Sequence, residues 1–273
     1  MQDALGAGQS DGAAISEAFV NARRQAHALS GYPGALPKSF ADAYAIQTRA
    51  ITLWPDDIAG WKIGMTAPAF RERAESERLC GPIFQKSVQW ANDAQLSAPV
   101  YEGGFAAVEA ECIYRLGRSV APGACAATPE AVMDVIDTLH VGVEIASSPF
   151  SGINELGPEV TISDFGNNAG LIIGREVKEW RSLDYNALYA EVSINGASVG
   201  LASAASILNG PLSAIAFLVG VCATRGIALE EGSWITTGAI TGVHEVSVGD
   251  RAHVDFGDFG AIDVEFSKAK PAV

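Results

Sequence analysis

The sequence predicts an α+β fold, with a small helical front ahead of a body of short strands that a few helices wrap as a curved mixed sheet or β-roll. Three observations carry this. Apolar residues recur at three-and-four spacing before Pro55 and again in two later stretches. Beyond Gly60, short apolar or alternating runs end in Gly, Pro, Asn or Asp. Twenty-nine glycines mostly punctuate those runs, with no fixed-period repeat among them.

Taken in order, residues 1–10 (MQDALGAGQS) are small and polar and are expected to be disordered. From Asp11 to Ser30, the residues Ile15, Ala18, Phe19, Ala22 and Ala26 mark an amphipathic helix. GYPGALPKS is a turn-rich connector. A second helix is expected over Phe40–Leu53, with Ser39 as N-cap and Pro55 as its stop. GWKIGM, GPIF, SVQW, AAVEAECIYRLG, VGVEIASS and GLIIG read as strands, and AFRERAESER as a charged helical turn or lid. TPEAVMDVIDTLH reads as a helix capped by Thr128, with Val132, Val135, Ile136 and Leu139 as its buried stripe. Asn195-Gly196 signals a hairpin within LYAEVSINGASVG. An apolar buried helix is expected from Pro211 to Arg225, closed by Gly226. Two late strands, RAHVDFGD and AIDVEFS, join through Gly257 to Gly260. The organisation is a helical N-terminal region (1–58) and a β-rich body (59–268).

Composition limits the function classes. With 273 residues, 48% of them hydrophobic, the chain can bury a large core. Only 18% are charged, which points to surface buried in a homo-oligomer. A formal net charge of -14 argues against nucleic acid or an anionic membrane as partner. No apolar run has the length of a membrane span, and the N-terminus lacks a signal-peptide pattern. Cys80, Cys112, Cys125 and Cys222 form no C-x-x-C pair and read as small buried hydrophobes of a reducing, cytoplasmic environment.

The most informative feature is Glu109 and Glu111 in AAVEAECIYRL, with Glu144 in HVGVEIASS. Alternate residues of a strand share a face, so Glu109 and Glu111 lie about 7 Å apart on one side. Val108, Ala110 and Cys112 take the other side. Acids on the inside of a hydrophobic strand are costly without a positive charge between them. Three carboxylates with no His or Cys pattern nearby suit Mg²⁺ or Mn²⁺. The alternative is that these acids line a solvated sheet face.

Lys62 sits between apolar Trp61 and Ile63 in a glycine-flanked strand. It either snorkels to the surface or has its ammonium drawn inward. Burial and a nearby cation lower a lysine's pKa, whereas carboxylates oppose that shift. Thr236 and Thr237 stand at the tip of ITTGAITG, where hydroxyls and free turn amides make a cradle for a carboxylate; threonines are also commonplace in strands. His244 reads as a surface or structural histidine. His140 reads as a core histidine, with a supporting role next to the Glu144 strand as the alternative. The chain has no G-x-S-x-G elbow, no G-x-G-x-x-G after a strand and no P-loop.

GWKIGMT, GPIF, VEAECIYRLGR, GVEIASS, NAGLIIG, the stretch from NGPLSAIAFLVGVCATRG to SWITTGAITG, and VGDRAHVDFGDFGAIDVEF follow one another in a familiar order. Over about residues 15–268 the chain resembles the 2-keto-4-pentenoate hydratase / 4-oxalocrotonate decarboxylase group of the fumarylacetoacetate hydrolase superfamily. The resemblance implies that superfamily's β-roll-like fold, a homo-oligomer, and Mg²⁺ or Mn²⁺ held by Glu109, Glu111 and Glu144. It implies that Lys62 faces the active site beside the metal, and that Thr237 and Gly238 of the T-G-A turn contact a substrate carboxylate. It also shows departures. Leu79 stands where many hydratases have an acid before the G-P-L-F turn. SDFGNNAG replaces A-D-N-A-S-S-A-G, so Asn167 stands in place of a catalytic Ser. Asn167 can hydrogen-bond but is no proton carrier, and Glu75 or Glu77 of the presumed lid is the candidate substitute acid.

The implied activity is a catabolic lyase on a small 2-oxo acid, first a hydratase of a 2-hydroxy-2,4-dienoate. The alternatives are a decarboxylase of an oxalocrotonate-like 2-oxo-dioate, a C–C hydrolase of a diketo acid, and an inactive partner subunit.

Overall fold

The computed structural model describes residues 2–92 and 96–272, with residues 2–10 described by main chain alone. The front consists of α1 (Gln2–Gln25) and α2 (Phe40–Leu53). α1 begins at Gln2 where the sequence predicts disorder to residue 10, and it ends at Gln25 because Ala26 turns left-handed at φ 52°. α2 has the predicted bounds. The side chain of Ser39 accepts from the amide of Asp42 as its N-cap, and Phe40, Tyr44, Ile46 and Ala50 are buried.

The body follows as β1 (Ile58–Met65), β2 (Arg78–Phe84), β3 (Val88–Trp90), β4 (Ser97–Val100) and β5 (Phe105–Leu116). Then come α3 (Pro129–Met133), β6 (Ile136–Ser148), α4 (Pro158–Ser163) and β7 (Asn168–Glu176). The chain continues through β8 (Tyr189–Ile194), β9 (Ala197–Ser203), α5 (Pro211–Arg225), β10 (Trp234–Thr236), β11 (His244–Glu245), β12 (Arg251–Asp255) and β13 (Ala261–Lys268). The strands form two sheets. One has eight strands in the order β2-β1-β10-β5-β6-β7-β3, with β11 also on β5; the other runs β4-β13-β12-β8-β9. Three pairs are parallel, β1–β10, β3–β7 and β13–β4, so the architecture is the mixed α+β arrangement expected.

One predicted helix is much shorter than its periodicity suggests. Thr128 caps α3 and Pro129 starts it, but the helix stops at Met133 and the chain enters β6 at Ile136. The spacing of Val132, Val135, Ile136 and Leu139 fits a helix, yet all four are buried in this different conformation. The twelve-residue β5 decides the outcome, because it offers β6 pairing partners from Phe105 through Leu116. The Asn195-Gly196 hairpin forms as predicted, with φ of 51° and 82°. α5 likewise has its predicted limits and closes on left-handed Gly226.

β5 is the centre of the molecule. Val108, Ala110, Cys112 and Tyr114 belong to the main hydrophobic core, so one face of the strand is committed to packing. Glu109 and Glu111 are thereby directed to the other face. Beyond it, β1 runs parallel to β10 with Gly60 opposite Trp234. A Cβ on Gly60 would lie 1.9 Å from the carbonyl oxygen of Trp234, so only glycine permits this approach. Gly60→Ala is therefore expected to cost about 1–3 kcal/mol. Thermal unfolding followed by circular dichroism should register a drop of several degrees, and an unchanged midpoint would show that the two strands separate freely.

Candidate metal and substrate site

The β5–β6 register places Glu109 directly opposite Glu144. With Glu111 two residues further along β5, one ligand atom from each of the three carboxylates lies within 4.8 Å of the others. All three side chains are buried, Glu111 and Glu144 completely. The solvated-face alternative is thus excluded.

Lys62 completes the cluster. Its strand β1 lies two strands from β5, and the side chain is 3% exposed with Nζ 3.3 Å from Glu144 Oε1. The ammonium also donates to Asn167 Oδ1 at 3.2 Å. Asn168 Nδ2 donates to Glu144 Oε1 at 3.1 Å, and Thr236 Oγ1 to Glu144 Oε2 at 3.3 Å. Lys62 is therefore drawn inward rather than snorkelling.

The turn after β10 has a different job from the one expected. The amides of Thr237 and Gly238 both donate to Glu111 Oε2, at 2.9 and 2.7 Å, and Thr237 Oγ1 donates to the carbonyl of Cys112. They are not free to cradle a substrate carboxylate. The cause is register: Thr236 pairs with Ile113, which brings the following turn onto Glu111. Gly238 supplies the φ of 110° that the turn requires.

Burial dominates the electrostatics. It pushes Glu109 up to about 7, with Lys62 opposing and Glu144 adding to the rise. It drives Glu111 well above the usual carboxylate range, with Glu144 and Glu109 adding and Lys62 and the Thr237 amide opposing. For Lys62 burial acts downward, but Glu144, Glu109 and Glu111 together raise it above its ordinary value. In the metal-free protein Lys62 is therefore an ammonium.

The donor set fits a hard dication. With all three carboxyls deprotonated, as ligation of a cation requires, the one ammonium would leave the dry site two negative charges in excess. Glu111 Oε1 is buried without any hydrogen-bond partner, and the Glu109 side chain makes no hydrogen bond among the described residues. Such orphaned oxygens are what Mg²⁺ or Mn²⁺ would satisfy.

A cleft of about 780 Å³ opens beside the cluster, lined by Lys62, Leu79, Glu109 and Asn167 among the predicted residues. Leu79, opposite Gly64 in the β1–β2 pair, is 4% exposed and forms an apolar wall next to the ammonium. A Cβ on Gly64 would stand 3.2 Å from Lys62 Nζ and 3.6 Å from Leu79 Cδ1. The proposed substitute acids are elsewhere. Glu75 Oε1 accepts from the amide of Phe40 at the start of α2, and Glu77 is exposed outside the cleft. Sequence reasoning missed Asn154, Glu155 and Arg71, which do line it. Asn154 Oδ1 accepts from Asn167 Nδ2 at 3.3 Å, and Arg71 Nε donates to the carbonyl of Thr66. No periodicity marks these loop residues, whereas Asn168, two residues before Gly170, stood in a stretch already singled out. Among the described residues no histidine lines the cleft. His140 packs edge-on against Trp90 and Trp234 and bonds the Gly174 carbonyl, as a core histidine does.

No family model matches the chain. Among curated proteins it is 26% identical to a 4-oxalocrotonate decarboxylase of Pseudomonas putida over 265 residues, 93% of this chain and 96% of the relative. It is 28% identical to the 2-oxo-hept-4-ene-1,7-dioate hydratase of Escherichia coli over 257 residues, 89% and 92% of the two chains. In fold it is similar to the 4-oxalocrotonate decarboxylase of Pseudomonas putida G7 complexed with magnesium and adipate, at 24% identity and a TM-score of 0.79 over 94% and 98% of the chains. Fumarylpyruvate hydrolase from Pseudomonas aeruginosa, in complex with Mn²⁺ and pyruvate, shares the fold at 13% identity and a TM-score of 0.55 over 77% and 89%. The fold is that of the fumarylacetoacetate hydrolase superfamily. Over most of its length the chain is similar to proteins named as 4-oxalocrotonate decarboxylases and as 2-oxo-heptenedioate, hydroxyhexadienoate or ketopentenoate hydratases.

The raised carboxyls set a stability profile. Folded Glu109 and Glu111 keep protons that the unfolded chain releases near 4.5, so their contribution is intact below that pH and is lost as pH rises towards 7. Metal-free protein should therefore melt at lower temperature at pH 7.5 than at pH 5.5 if these groups dominate the difference. Added Mg²⁺ or Mn²⁺ should restore stability chiefly at the higher pH, because the ligands must be deprotonated. Glu111→Gln should abolish that metal response; a response that survives it would place the ion elsewhere.

Proposed function

We propose that this chain is a divalent-cation-dependent lyase acting on a small 2-oxo acid or its 2-hydroxydienoate tautomer. The observation that carries this reading is the dry trio Glu109, Glu111 and Glu144 set against Lys62 at the floor of a substrate-sized cleft. Bound there, Mg²⁺ or Mn²⁺ would supply Lewis-acid polarisation of the carboxylate and 2-oxo oxygens.

The chain's own residues do the rest. Lys62 Nζ is the proton carrier, held by Glu144 Oε1 and Asn167 Oδ1. Ketonisation of a dienol needs a proton at a chain carbon, and an ammonium beside the head group of the acid can deliver it. Asn167 orients that ammonium and donates a hydrogen bond from its own Nδ2 to Asn154 Oδ1. Leu79 excludes water from one side of Nζ and offers no second acid.

Hydration and decarboxylation place different demands on such a cleft. Hydration needs a water made nucleophilic, whereas loss of CO₂ needs an electron sink and a proton for the carbon left behind. Leu79 and Asn167 stand where acid and hydroxyl are expected, so the cleft equips decarboxylation more fully. Arg71 supports the same choice. Among the described residues it has no carboxylate partner, so its guanidinium is available to a second, distal carboxylate. Diketo-acid hydrolysis is disfavoured, since no histidine is present in the cleft to form a water-activating pair with an acid.

With purified protein and Mg²⁺, a 2-oxo-hexenedioate is expected to release CO₂, and 2-hydroxypenta-2,4-dienoate to lose its dienoate absorbance more slowly. Chelation or Glu109→Gln should lower either rate by about 100-fold or more. Undiminished turnover after either treatment refutes the metal mechanism. Arg71→Met should raise KM for the dioate about tenfold, the worth of one charge-assisted hydrogen bond, while leaving the mono-acid unaffected.

A further inference from the structure

We infer that Arg23, on α1, is a positioning residue of this site: it holds the 164–168 turn that presents Asn167 to Lys62 and Asn168 to Glu144. The inference rests on the metal and substrate reading given above.

The turn does not hold itself. Phe165, Gly166 and Asn167 are consecutive residues in the left-handed region, with φ of 55°, 63° and 59°. A non-glycine residue there costs about 1–2 kcal/mol, and two of the three carry side chains. The conformation is useful, because it turns Asn167 towards Lys62 Nζ while the next residue, Asn168, starts β7 and reaches Glu144 Oε1.

Arg23 bridges the two ends of this run. Its Nε and Nη2 donate to Asp164 Oδ1 and Oδ2 at 2.6 and 2.9 Å, and its Nη1 donates to the carbonyl of Asn168 at 2.9 Å. Nη2 also donates to the carbonyl of Ser147, three residues beyond Glu144 on β6. The guanidinium lies over the ring of Phe165 at 5.1 Å, and that ring packs edge-on against Trp54 and Phe84. One buried side chain thus fixes Asp164, Asn168 and β6 relative to each other. Arg23 forms no bond with Lys62 or the three glutamates and acts on them through Asn167 and Asn168. Lysine, with a single nitrogen, cannot span the same acceptors.

The test compares Arg23→Lys with Ile15→Ala in the full chain. Ile15 is a buried α1 residue packed with Phe19 and Ile46, so its truncation loosens the helix without touching the turn. Mg²⁺ affinity, read by titration calorimetry, is expected to fall about 10–100-fold in Arg23→Lys and to stay at the wild-type value in Ile15→Ala, even where the latter melts lower. Equal losses in both variants, or none in Arg23→Lys, overturn the inference. If wild-type protein binds neither Mg²⁺ nor Mn²⁺, the functional reading fails. Arg23 is then judged by amide exchange over residues 167–170, which must quicken in Arg23→Lys and not in Ile15→Ala. Should Arg23→Lys fail to fold, Arg23→Met with Asp164→Leu removes both charges together and keeps the site buried. Weakened Mg²⁺ binding in that double variant supports the positioning role, and unchanged binding refutes it.

Discussion

Three carboxylates share a dry face of the β5–β6 pair with a single ammonium, and the rest of the molecule is arranged around that imbalance. An isolated charge in such a place is prohibitively costly, so every polar group nearby is used to reduce it. Main-chain amides from the turn after β10 meet Glu111, while Asn168 and Thr236 meet Glu144. Lys62 supplies the only full positive charge bonded to the trio among the described residues. What stays unsatisfied is an oxygen of Glu111 and the side of Glu109 that faces the cleft, the two places where an ion would enter.

Much of this was legible in the sequence, for reasons that differ by element. α2, α5 and the Asn195-Gly196 hairpin carry their own boundaries: a serine cap, a proline start with a glycine stop, and a dipeptide suited to left-handed turns. The alternation in VEAEC fixed which side of β5 the acids occupy, since Val108, Ala110 and Cys112 had to face the core. Local pattern failed where partners at long range decide. The apolar stripe from Val132 to Leu139 suits a helix in isolation, but β5 extends far enough to recruit its second half into β6. The roles of Thr237 and Gly238 failed similarly, because the register of β10 against β5, a strand more than a hundred residues earlier in the chain, gives their amides to Glu111. Arg71, Asn154 and Glu155 sit in loops without period, and the spacing of α1 says nothing of the partners that Arg23 finds more than a hundred residues later.

The cleft also shows how one metal-binding framework serves different reactions. On the proposed reading, the carboxylate trio and Lys62 would supply polarisation and a mobile proton, which hydration, decarboxylation and C–C cleavage could all use. What separates these outcomes is the surrounding wall. Here that wall has a leucine beside the ammonium, an asparagine hydrogen-bonded to it and, among the described residues, no histidine. On that reading the framework has fewer ways to activate water, and the wall rather than the acidic trio would set the selectivity.

The anchoring of Glu111 by peptide groups has an evolutionary side. Position 237 contributes its amide to the carboxylate whatever side chain it carries, so any residue except proline preserves that donor. Position 238 is held to glycine by its backbone angle rather than by any contact of a side chain. Two homologues can thus diverge at the first of these sites and still grip the acid identically, and a search for recurring functional side chains would pass over the most direct support that this carboxylate has.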